Sequence, residues 1–183
     1  MISESIHGSI SALSASAPNV RRKADMDRTI PQRILDQFPY GLFIIGSRDG
    51  SIPMVIVADW AMQVSFDPLM LAVSIEEKSR MRVSIDECGF FSINTLPAGG
   101  KEIARALLKP VPPADNTFNG QKFTLGANGT PFLEDALAAL ECRVVVSYGT
   151  GDHRTFVGEV VDAREMRAGD VLTLKETGWH YSR

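Results

Sequence analysis

A chain of 183 residues with 44% hydrophobic side chains is long enough for one domain with a substantial core and a tail. Its formal charge of -3 disfavours a nucleic-acid binder, in which Lys and Arg gather in excess on one face. No apolar run approaches the roughly 18 residues of a membrane span, and Glu4 and His7 stand where a signal peptide has its basic region, so a cytoplasmic protein off the membrane is expected.

The two cysteines, Cys88 and Cys142, belong to no CxxC pair and have no histidine cluster nearby, so a zinc site lacks its ligands. They read as reduced, buried thiols.

Residues 1 to about 27 are rich in Ser and Ala, carry the basic cluster Arg21, Arg22 and Lys23, and have no apolar periodicity. They read as a disordered or partner-wrapping extension, with the folded domain over 28–183. Ile34, Leu35 and Phe38 have the spacing of a short amphipathic helix that Pro39 ends. Gly41 to Gly46 reads as a buried strand, Arg48-Asp49-Gly50 as a hairpin turn and Met54 to Val57 as the returning strand. Leu69 to Ile75 is a third strand after Asp67-Pro68.

Glu76 to Ser84 is a charged segment leading into a short helix, and Phe90 to Leu96 is again a strand. Glu102 to Leu108 has a helical apolar face. Residues 109–131 are crowded with Pro and Gly and read as a long loop. From Leu140 to Tyr148 apolar and polar residues alternate with period two, Gly149 to Asp152 turns the chain, and Thr155 to Ala163 returns it. Val171 to Leu174 and Trp179 to Tyr181 read as short final strands. Many short strands with few helices predict a mostly β barrel or sandwich, in which closure removes exposed edges.

Ala58-Asp59-Trp60-Ala61-Met62-Gln63-Val64-Ser65-Phe66-Asp67-Pro68 resembles the signature of the flavin-reductase-like, FMN-binding split-barrel family. Four further pieces resemble that family in the expected order: Gly89 to Asn94, Pro131-Phe132-Leu133, Leu140 to Val144, and Gly151-Asp152-His153 with Val157 to Val160. The resemblance covers about residues 33 to 182. It implies a split β-barrel with a few short peripheral helices and a homodimer that builds its flavin sites between subunits.

A flavin mononucleotide needs a cradle for its phosphate, a wall for its ring and polar contacts at the pyrimidine edge. Lys78, Ser79, Arg80 and Arg82 lie between a strand and a helix start, where the helix dipole and guanidinium groups favour an anion. The resemblance makes this loop the phosphate site; a solvated charged turn is the plainer alternative. It places Val57, Ala58, Asp59 and Trp60 along the flavin edge, with Trp60 at the ring or the dimer contact, or else in the core. Ser65 and Asn94 are secondary polar candidates, Asn94 alternatively satisfying neighbouring backbone; Tyr181 reaches the ring or the dimer seam, or only packs; and Phe118 is a candidate cover over the ring. His153 would stand beside a nicotinamide; the alternative is an exposed turn histidine.

Three residues depart from the family pattern: Val57 for Thr, Asp59 for Ser or Asn, and Met81 for Thr. The activity implied is an NAD(P)H-dependent flavin reductase that uses FMN, takes NAD(P)H as a transient co-substrate, and serves an oxygenase or another electron acceptor. The alternatives are a non-enzymatic FMN electron carrier and a split barrel binding another ligand.

Overall fold

The computed structural model describes residues 34–109 and 111–179. The chain divides into two compact units, Met1–Asp36 and Gln37–Arg183. Of the first, Ile34 and Leu35 are helical and exposed. The expected N-terminal extension lies outside the described residues. At the start of the second, Gln37 and Phe38 continue a turn that stops before Pro39.

The strands are β1 (Phe43–Asp49), β2 (Ile52–Ala58), β3 (Ala61–Phe66), β4 (Leu69–Glu76), β5 (Phe90–Thr95), β6 (Thr117–Phe118), β7 (Gln121–Leu125), β8 (Pro131–Leu133), β9 (Ala138–Gly149) and β10 (His153–Glu165). The helices are α1 (Arg80–Cys88), α2 (Lys101–Ala106) and α3 (Leu174–Thr177). Among the described residues, seven strands form one sheet in the order β2-β1-β5-β9-β10-β4-β3, with every pairing antiparallel. β2 and β3 are its two edges, yet only Asp59 and Trp60 separate them in the chain. Two residues span less than roughly 11 Å, so the sheet must curl until its edges meet there. The result is a barrel closed at one corner and split beyond it. Ser74 N–H donates to the Trp60 carbonyl at 2.9 Å and fastens that corner to β4.

Period-two alternation sorts the side chains onto two cores. Ile44 packs with Leu42, Phe118, Phe123 and Leu133 on one side of β1. Its neighbour Ile45 packs with Val73, Met81, Ile85, Phe91 and Phe156 on the other. Helix α1 serves the second core through Met81 and Ile85, spaced i, i+4. Ser79 caps its start, with the hydroxyl accepting from Met81 N–H at 3.2 Å, and Gly89 ends it in the left-handed conformation.

Gly158 explains a family element physically. A Cβ there would stand 2.7 Å from the Phe91 ring and 2.8 Å from Cys142 Cβ, so only glycine lets β10 cross this close. Cys142 is fully buried, and burial first and the Glu141 carboxylate second push its thiol up to about 12. Cys88, only partly buried, shares a hydrogen bond with the Ser47 hydroxyl.

The structure differs from three expectations. The long loop over 109–131 contains β6 and β7 and leads into β8, which together make a separate three-stranded sheet. Its prolines and glycines lie largely in the connections, and Asp115, Asn116 and Asn119 take positive φ to turn the chain. Phe118 is therefore core, stacked on Phe123 at 4.5 Å with no exposed surface, and cannot cover a ring. The expected strand at Val171 to Leu174 is two isolated bridges, Val171 to Pro97 and Thr173 to Gly41, followed by α3. Thr173 caps α3, and that capping chemistry stops the strand.

Glu141 is buried in this framework, with its two carboxylate oxygens accepting from the backbone N–H groups and side chains of Asn128 and Thr130 at 2.6–3.2 Å. Glu141→Ala leaves those donors without an acceptor and is expected to cost about 3 kcal/mol. A urea melt checks it: the midpoint should fall with an unchanged slope.

Candidate functional site

The corner that closes the barrel also builds the site. Val57, Ala58 and Asp59 line a cavity of 540 Å³ with Leu42, Leu108, Leu174 and Trp179. Asp59 and Trp60 also line a second cavity of 670 Å³, with Ser74, Tyr148 and Thr155 opposite. Asp59 is 8% exposed and Trp60 is 38% exposed, so the indole is half in solvent. His153 opens β10 opposite Glu76 of β4, and its ring lies 4.6 Å from the Trp60 ring at a 42° tilt. The His153 Nδ1 is 2.7 Å from Asp152 Oδ1. A carboxylate accepts, so Nδ1 carries a proton in this pair.

The other end of β2 meets the start of α1. Residues 52–56 line a cleft of 450 Å³ with Asp49, Ser79, Arg80 and the segment 111–113. The first turn of α1 carries no acidic residue, so the helix end keeps its positive potential. Arg80 reaches across to Asp49, with Nε 3.2 Å from Oδ2 and Nη2 closer still. Arg82 points back along the helix to Asp86, at 2.7 Å, and to the Glu77 carbonyl, at 3.2 Å. Lys78 is exposed in the loop before the cap.

This loop is tied to the histidine turn. Glu77 pairs with Arg154 at 3.0 Å, and its N–H donates to the Asp152 carbonyl at 2.9 Å. The hydrogen bond from Arg154 holds the Glu77 carboxyl below the usual carboxylate range, and the same bond raises Arg154 further.

The structure thus gathers Val57, Ala58, Asp59, Trp60 and His153 at one end of β2 and Ser79 and Arg80 at the other, with Lys78 nearby. It does not gather the rest. Ser65 is half-buried on the edge strand β3 opposite Met70, away from the cavity walls. Asn94 is fully buried: Nδ2 donates to the carbonyls of Ile44 and Pro131, and Oδ1 accepts from Leu133 N–H at 2.8 Å. Its side chain ties β1, β5 and β8 together and has nothing left for a ligand. Met81 borders the cleft with Ser79 and Arg80, but it is 1% exposed and its side chain belongs to the core. Tyr181 lies outside the described residues. Asp49, Leu108, Tyr148 and Trp179 join the cavity walls with no local sequence signal, because distant turns deliver them.

The sequence pattern of the flavin reductase like domain matches residues 35–180. The chain belongs to that family. It is similar to diflavin flavoprotein A 1 of Synechocystis sp., 30% identical over 154 residues, which are 83% of this chain and 26% of that protein. The chain therefore spans about a quarter of the length of such diflavin relatives. It is also similar to the NADH-dependent FAD reductase of Streptomyces globisporus, 29% identical over 149 residues, 80% of this chain and 81% of that one. Among solved structures it resembles BorF, the flavin reductase component of a bacterial two-component tryptophan halogenase. The TM-score is 0.71 and the identity 27%, covering 83% of this chain and 95% of BorF. The curled sheet with its two edges meeting at Asp59–Trp60 is the flavin-reductase split barrel.

The observed cavities fit a flavin. Each is within the roughly 300–1,000 Å³ of small-molecule sites, and the residues of β2 lead from one to the next. From Met54 to Asp59 the strand rises roughly 17 Å, which suits an elongated ligand with an anion at one end and a ring at the other.

Asn94→Ala should therefore lower stability by about 2 kcal/mol, the cost of stranding buried backbone groups, while leaving flavin affinity of the folded protein unchanged. A urea melt and a flavin fluorescence titration on the same sample separate the two effects.

Proposed function

We propose that this chain is an NAD(P)H-dependent flavin reductase that holds FMN, or the corresponding phosphate of FAD, along β2 and receives a nicotinamide beside His153. The observation that carries the reading is the course of β2, from a cationic helix start at Ser79 and Arg80 to the His153–Trp60 pair. The likeness to an NADH-dependent FAD reductase supports it.

Arg80 and the α1 N-terminus bind the phosphate, with Lys78 adding charge from the loop. Backbone groups from Val57 to Trp60 meet the polar edge of the ring, which leaves the missing Thr hydroxyl at Val57 uncompensated. When bound, the flavin supplies the hydride-accepting N5. The His153 ring, oriented by Asp152 and backed by Trp60, presents Nε2 to hydrogen-bond the carboxamide of the nicotinamide. Trp60 and Tyr148 wall this end.

Anaerobic addition of NADH or NADPH to the flavin-loaded protein is expected to bleach the flavin band near roughly 450 nm, a property of the cofactor. His153→Ala should slow this by roughly 10- to 100-fold, the loss of one oriented contact. Equal, negligible rates in both proteins would favour a carrier reduced by another protein.

The assembled form is a homodimer that docks through the β3–β4 hairpin. Phe66 is 89% exposed and Met62 66% exposed, beside Val64 and Leu69, on an open sheet edge. Apolar side chains on an unpaired edge are a surface that proteins normally cover. The electron acceptor is an oxygenase-type partner or another acceptor of reduced flavin, in line with the likeness to a halogenase component. Phe66→Asp removes no core contact and should convert the dimer to a folded monomer in sedimentation velocity. A wild-type monomer would refute the dimer.

A further inference from the structure

The cleft at the start of α1 contains an anion of its own. Arg80 is the first residue of α1 and 75% exposed at its side chain, and its Nε and Nη2 both turn to Asp49 Oδ2. Asp49 ends β1, in register with Ile52 across the hairpin. Its turn is pinned on the neighbouring residue: Arg48 Nε donates to the Asn128 carbonyl at 3.1 Å, and Nη1 to the Gly50 carbonyl at 2.7 Å. Asp49 is thus held at the cleft by backbone and by its neighbour, independently of α1. Helix α1 has no acid in its own first turn, so the carboxylate at this helix start is delivered from another element. Arg82 differs, since its partner Asp86 lies on the same helix and its pair is partly shielded.

We propose that Asp49 is the resident counter-ion of Arg80, which a flavin phosphate has to displace, so that Asp49 sets how readily this chain releases flavin. The inference rests on the flavin reading given above. Asp49 and the phosphate compete for one guanidinium in one cleft and repel each other there. An exposed pair changes an equilibrium by at most roughly fivefold, so displacement is easy but not free. Relief of the repulsion adds to it. A grip weakened in this way suits flavin that is exchanged with solution, not kept through many turnovers. Riboflavin has no phosphate and is indifferent to Asp49.

The test is a fluorescence titration of the full chain with FMN and with riboflavin, for wild type, Asp49→Asn, Asp49→Ser, Arg80→Gln and the Asp49→Asn/Arg80→Gln double variant. Both Asp49 variants should bind FMN roughly three- to tenfold more tightly, release it correspondingly more slowly in stopped flow, and bind riboflavin as wild type does. Arg80→Gln should reduce the gain to the part that comes from relieved repulsion. Circular dichroism confirms that each variant is folded, and the serine variant guards against an effect peculiar to the amide. An FMN affinity that is unchanged or weaker in both variants overturns the inference, as does a shift that riboflavin shares. In either case the flavin reading stands if the wild type binds flavin. A wild type that binds neither ligand overturns both.

Discussion

The two edge strands of a seven-stranded sheet are joined here by two residues, Asp59 and Trp60. An open twisted sheet cannot satisfy that connection, because its edges lie far apart. The sheet must roll up, and the chain crosses from β2 to β3 at the corner where the edges meet. The cavities that Val57 to Trp60 line lie around this corner. The corner brings Trp60 against His153, which arrives from β10 at the far side of the strand order. It also leaves β2 unpaired on its outer side, where a ligand can lie along the backbone.

Charges are distributed along that strand in a consistent way. The start of α1 offers a capped helix end and Arg80, and the region near Val57 is apolar until Asp59. Between them, Glu77 joins the loop before α1 to Arg154 and to the Asp152 turn. The helix start and the histidine turn therefore share one scaffold, joined by a carboxylate and one backbone hydrogen bond. Individually such exposed interactions contribute little, so the rigidity comes mainly from the β10–β4 ladder beneath them.

Buried polar residues hold the framework that supports this. Glu141 and Asn94 have no exposed surface, and each spends its side chain on backbone of a distant segment. Both belong to stretches that match the family pattern, and both are structural in the described molecule. A motif can thus persist for the sake of a loop connection as well as for a ligand, and only burial and hydrogen-bond partners distinguish the two. Gly158 is a third case, set by the Phe91 ring that presses against β10.

Local patterns in the sequence were enough to identify the strands over Gly41 to Gly46, Leu69 to Ile75 and Leu140 to Tyr148, a short helix after the charged segment at Glu76, and the family. Each of these depends on residues close in the chain, where alternation, capping and turn chemistry act. Asp59, Trp60, His153, Ser79 and Arg80 were candidates on the sequence because they sit in or next to contiguous motifs, and the fold sets each of them at a cavity wall or against a residue that lines one. Tertiary structure decided the remainder. Segment 109–131 became a sheet because Phe118 and Phe123 found a core that its prolines do not announce. Asn94 was withdrawn from the site by Ile44, Pro131 and Leu133, and Arg82 was turned away by Asp86. Asp49 was carried to Arg80 by the hairpin between β1 and β2. The division has one physical reason: local signals report which backbone conformation a residue favours, whereas the partner of a side chain is set by chain folding across tens of residues.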